Sequence, residues 1–105
     1  MSVSIKDLLL AVQKRPCLYM RKVSFDSVVN YIDIFLSTKR ICGINDSADD
    51  YFSNHFHLWV CKYFNMDEKF CVHWDKIIYL NSFSDEDAIE KYFSLAQMFF
   101  DQQQA

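Results

Sequence analysis

Apolar residues recur every three or four positions in successive stretches of the chain, with polar residues filling the intervals. This spacing predicts amphipathic helices rather than strands. The stretch from Tyr51 to Phe64 carries the strongest signal, with Phe52, Phe56, Trp59, Val60 and Tyr63 on one helical face and Phe64 at its edge. A strand would divide these rings between two faces. Asp46, Asp49 and Asp50 precede them and suit a helix start, because unpaired amides and the positive end of the helix dipole favour carboxylates. An aromatic face of this kind needs cover from both sides, and the other helices are read as that cover.

The first of these runs from Ser4 to Lys14. Ser4 and Asp7 have the spacing of a capping box, Ile5, Leu8, Leu9 and Val12 form the apolar stripe, and Lys14 and Arg15 suit the C-terminal dipole. Pro16 is expected to end it, since proline lacks an amide donor and disfavours a helical Arg15. In the apolar turn that follows, Leu18 and Met20 are expected to fold over the core. A second cap at Ser24, with Ser27 at its third position, opens a helix marked by Phe25, Val28, Val29, Ile32, Phe35 and Leu36. Its many β-branched residues make it dependent on tertiary packing. Gly43, the sole glycine, is placed to stop it.

Beyond Phe64, Asn65 to Glu68 resembles a short interhelical turn. Phe70, Cys71, Trp74, Ile77, Ile78 and Asn81 then repeat at helical intervals and are read as one helix. Residues 70–74 and 76–80 can each also be read as a short strand, but the residues of a two-residue hairpin turn are missing between them. Ser84 with Asp87 caps the last helix, whose face is Ile89, Tyr92, Phe93, Ala96 and Phe100, broadened by Leu95 and Phe99. The expected fold is therefore all-α, a compact bundle of about five amphipathic helices with short connectors, forming a single domain over residues 1–105. Its predicted core comprises Leu8, Leu9, Val28, Ile32, Phe56, Trp59, Val60, Tyr63, Trp74, Ile77, Ile78, Ile89, Phe93 and Ala96.

Composition sharpens this picture. With 105 residues, 51% of them apolar, the chain has material for one core and not for two. Cys17, Cys42, Cys61 and Cys71 form no close pair and are expected to be reduced and mostly buried. No apolar run is long enough to span a bilayer, and the first residues lack the pattern of a secretory signal, so a cytoplasmic location without membrane association is expected. The net charge of -3 is unevenly spread: residues 44–105 hold eleven acids against four bases, whereas Lys6, Lys14, Arg15, Arg21 and Lys22 cluster near the start. The acidic part disfavours a nucleic-acid partner and favours a basic protein.

Catalytic chemistry finds little support. His57 and Cys61 are four residues apart and can meet on a helix, but a thiolate dyad also needs access, an orienting group and a pocket. His55, His57, Cys61, Cys71 and His73 lack the close pairing of a zinc site. The loop at residues 44–50 lacks the ligand alternation of a calcium site, and a lone glycine excludes the usual phosphate-binding loops. No catalytic residue, metal or cofactor is assigned. What remains is an acidic and aromatic surface suited to recognition. Its candidate interface residues are Asp46, Asp49, Asp50, Tyr51, Asp67, Glu68, Asp75, Tyr79, Asp85, Glu86 and Glu90.

Lys14-Arg15-Pro16-Cys17-Leu18-Tyr19-Met20, the helix from Phe25 to Leu36, the segment from Phe56 to Phe64, Trp74 to Ile78, and Ala88 to Phe100 together resemble small all-helical bacterial immunity proteins of contact-dependent growth-inhibition systems. Related sequences often carry RP-x-MYLG in the first connector, where this chain has Arg21 after Met20. The resemblance implies a cytoplasmic protein, a monomer or a heterodimer with its toxin, that binds and neutralises a cognate basic nuclease domain, here expected to be a ribonuclease. A non-catalytic scaffold or regulator is the alternative. Nucleic-acid binding through the basic turn from Lys14 to Lys22 is a third reading.

Overall fold

The computed structural model describes residues 4–15, 23–66 and 73–103. Among these residues there are five α-helices: α1 (Ile5–Lys14), α2 (Phe25–Cys42), α3 (Ser47–Tyr63), α4 (Trp74–Leu80) and α5 (Asp85–Gln103). No strand occurs among the described residues. The protein is all-α, as the spacing of its apolar residues predicts. The chain divides into two units, Met1–Ser53 and Asn54–Ala105, with α3 passing through the division.

In the first unit, α1 starts at Ser4, whose Oγ accepts the Asp7 amide at 3.3 Å. Ile5, Leu8, Leu9 and Val12 are buried, and the helix ends before Arg15. The expected turn at Pro16, Cys17, Leu18, Tyr19 and Met20, with Arg21 and Lys22, lies outside the described residues. The α2 stripe of Phe25, Val28, Val29, Ile32 and Leu36 is buried. Gly43 closes this helix at φ 70°, a left-handed conformation that strains residues bearing a Cβ. The Ile44 amide then donates to the Lys39 carbonyl at 2.9 Å and the Gly43 amide to the Arg40 carbonyl at 3.1 Å. α3 begins at Ser47, so Asp49 and Asp50 lie within its first turn instead of ahead of it.

In the second unit, Phe56 is the hub of an aromatic core. Its ring meets Trp74 edge-on at 5.1 Å and Phe99 edge-on at 5.4 Å, and lies 6.1 Å from Tyr92. Val60, Ile77, Ile78, Phe93 and Ala96 are buried around it, as the helical register predicts. Three expected core residues are not buried. Trp59 is only partly covered, because its indole N–H must reach a hydrogen-bond acceptor and finds Gln102 Oε1 at 2.7 Å. Tyr63 is half exposed. Its helical angle suits the stripe, but open recesses flank it at the end of α3. Ile89 is partly covered, beside the fully buried Ala88 of the same turn.

Asn65, at φ 57°, ends α3 in the left-handed region that asparagine tolerates, and the Met66 amide donates to the Cys61 carbonyl at 2.8 Å. α4 spans only Trp74–Leu80 of the expected longer helix, and Phe70 and Cys71 lie outside the described residues. Among the described residues, no helix is long and apolar enough to cross a membrane.

Candidate protein-interaction surface

The carboxylates expected to form one acidic interface do different work in the two units. In the first unit, Asp46 and Asp49 cap α3 reciprocally. The Asp49 amide donates to Asp46 Oδ1 at 2.9 Å and the Asp46 amide to Asp49 Oδ2 at 3.1 Å. Asp49 Oδ1 also accepts the buried amide of Ile5 at 2.9 Å, and its Oδ2 pairs with Lys39 Nζ at 2.6 Å. Asp49 is 2% exposed and Lys39 4%. Asp49 is therefore a buried junction of α1, α2 and α3, which removes it from the expected interface. Burial raises its pKa, but the hydrogen bond from Lys39 and the amides of Asp46 and Ile5 outweigh that effect and leave it below the usual aspartate value. Asp50 accepts from Asn45 Nδ2 at 2.6 Å, and Tyr51 is partly covered.

The corner between α4 and α5 has the opposite character. Asn81 Nδ2 donates to the Ile77 carbonyl at 2.8 Å and Ser82 Oγ to the Ile78 carbonyl at 2.7 Å, so both side chains tie back to α4. Ser84 caps α5 by accepting the Asp87 amide at 3.1 Å, while Asp87 Oδ2 accepts the Phe83 amide at 2.9 Å. Lys91 donates to the same Asp87 oxygen at 3.1 Å and to the Asn81 carbonyl, and its ammonium lies 5.6 Å from the Phe83 ring centre. The Phe83 amide and then the Lys91 hydrogen bond hold the Asp87 pKa below its usual value.

This bracing surrounds an apolar group that faces solvent. Phe83 is 98% exposed, Leu80 75% and Tyr79 50%. Asp85, Glu86 and Glu90 are exposed on the first two turns of α5, whereas Asp75 is partly covered and lies 2.6 Å from His73 Nδ1. The corner thus combines Tyr79, Asp85 and Glu86, which the sequence proposes, with Phe83 and Leu80, which it does not. A signal for Phe83 was available: the ring stands alone between Asn81-Ser82 and Ser84-Asp85, outside the stripe of either helix. Asp67 and Glu68 lie outside the described residues.

Two recesses of the same unit meet at Tyr63. One, of about 290 Å³, is lined by Tyr63, Phe64, Asp87, Glu90, Lys91, Ser94, Leu95 and Met98. The other, of about 400 Å³, is lined by Trp59, Lys62, Tyr63 and Gln102. Their charges are of both signs. The His57/Cys61 pair places Nε2 and Sγ 3.8 Å apart, with the thiol buried and the other ring nitrogen of His57 buried without a partner. A buried thiol does not offer a substrate the access that nucleophilic chemistry needs. Among the described residues, no group of three or more His, Cys, Asp and Glu side chains is placed to hold a metal ion. Cys42 is free and exposed. No protein-family profile, curated protein or solved structure matches the chain.

Proposed function

We propose that this chain is an immunity protein that acts in the cytoplasm by binding a cognate basic nuclease toxin, a ribonuclease, and blocking its substrate cleft. The observation that carries the reading is the α4–α5 corner, where exposed Asp85, Glu86 and Glu90 accompany an exposed Phe83, Leu80 and Tyr79. A nuclease draws phosphate with positive charge, and an acidic protein enters the same field and displaces the nucleic acid. Aromatic residues at the patch supply desolvated contact that charge alone lacks. The sequence resemblance to immunity proteins points to the same class of partner.

The test is to express the product of the neighbouring coding sequence, assay it for ribonuclease activity, and titrate that activity with the purified protein. Loss of activity at one equivalent supports the proposal, and undiminished activity in excess protein rejects it. A minimal substrate too small to span the cleft adds mechanism: its protection indicates cleft occlusion, and its continued cleavage indicates binding elsewhere on the toxin.

A further inference from the structure

Resting on the immunity reading, we infer that Phe83 is the apolar anchor of the complex: its ring enters an apolar pocket on the toxin domain, and Arg or Lys side chains at the pocket rim meet Asp85 and Glu86. Three observations lead there. The ring is 98% exposed, so it contributes almost no burial to the fold. Its backbone is nevertheless tightly specified, with the Phe83 amide on Asp87 Oδ2 at 2.9 Å and Asp87 held in turn by Ser84 and Lys91. An apolar side chain whose backbone is fixed before binding loses only its own rotamer freedom on docking, which lowers the cost of using it as an interface hot spot. The adjoining exposed carboxylates then set the sign of the partner.

That sign also decides between occupants. A second copy meeting this corner face to face would bring Asp85 and Glu86 against their own equivalents, and an anionic membrane surface would repel them. The recesses around Tyr63 offer no comparable choice, since Lys62 and Glu90 line them with opposite charges.

Binding kinetics of the purified toxin domain with the native chain, Phe83→Ala, Phe83→Leu and a combined Asp85→Asn, Glu86→Gln, Glu90→Gln variant test the inference. Phe83→Ala is expected to melt with the native protein and to dissociate on the order of 30-fold faster, the loss that defines a hot spot. Its association rate stays within about twofold of native, because neutral truncation leaves long-range steering intact. Phe83→Leu recovers part of the lifetime. The charge variant instead slows association and flattens its salt dependence. Native dissociation from Phe83→Ala overturns the anchor and leaves the immunity reading standing, whereas failure of the native chain to bind the toxin overturns both.

Discussion

Asp49 and Asp87 are built alike and used differently. Each occupies the first turn of a helix, each accepts a backbone amide from the chain ahead of that helix, and each holds a lysine ammonium, at 2.6 Å for Lys39 and 3.1 Å for Lys91. Around Asp49 the device is buried and draws three helix ends together. Around Asp87 it is solvated and fixes a turn that carries Phe83 into solvent. The same short-range chemistry thus stabilises a core in one unit and shapes a surface in the other. The difference lies in burial: Asp49 is 2% exposed, whereas Asp87 is partly open to solvent.

The comparison is broken most forcefully at Asp49. Asp49→Ala removes the carboxylate that pairs with the buried Lys39 ammonium and strands the Ile5 amide, so a loss of about 3–5 kcal/mol in denaturant unfolding is expected. Joint replacement of Lys39 by Met and Asp49 by Leu should recover much of that loss, because the cost of burying both charges is then removed. A change near zero for Asp49→Ala would show that the junction does not hold the unit together. Asp87→Asn should move the denaturation midpoint far less, while loosening the corner enough to shorten the lifetime of the proposed toxin complex. Equal destabilisation by the two substitutions would erase the distinction between them.

Acid sharpens the contrast further. Asp49 and Asp87 both have folded pKa values below their ordinary ones, so the folded state binds fewer protons than the unfolded chain as these carboxyls titrate. Their contribution is present above the unfolded carboxyl pKa of about 3.9 and is lost as pH falls from there through the depressed folded values. Stability measured from about pH 5 downward should therefore fall. The decline should be visibly shallower in the Lys39→Met, Asp49→Leu protein and only slightly shallower in Asp87→Asn. A slope unchanged by the double replacement would place the acid sensitivity elsewhere.

The helices were legible because their information is local. Ser4 with Asp7, Ser24 with Ser27, Gly43, and Ser84 with Asp87 mark ends that the structure closes with hydrogen bonds of the expected kind. Phe56 and Val60 likewise follow their stripe into the core. Tyr63 shares that stripe and is half exposed, since periodicity reports the angle of a side chain about its helix and not whether a neighbour covers it. Phe56→Ala should accordingly cost about 3–5 kcal/mol as a core truncation. Trp59→Phe should cost less, on the order of 1 kcal/mol, from loss of the Gln102 hydrogen bond and part of the contact that the partly covered indole makes with Phe56, Tyr63 and Phe99.

The candidate surface was legible in its charge and not in its arrangement. Asp49 looks in sequence like any helix-start acid, and its burial follows from Ile5 and Lys39, which lie 44 and ten residues before it. Nothing local announces that pairing. At the corner, the acids of α5 follow from composition, whereas the exposure of Leu80 follows from α4 ending there. Burial of a carboxylate and exposure of an apolar ring are both tertiary facts, and each reverses what residue type alone suggests.

Amide hydrogen exchange of the chain with and without the proposed toxin domain tests most directly the proposal that the solvated corner, and not the buried junction, is the recognition surface. Binding is predicted to slow exchange across residues 79–90, including the Phe83 amide, and to leave residues 46–53 as they are in the unbound protein. Protection confined to residues 46–53, with unaltered exchange from Tyr79 to Glu90, would contradict that assignment.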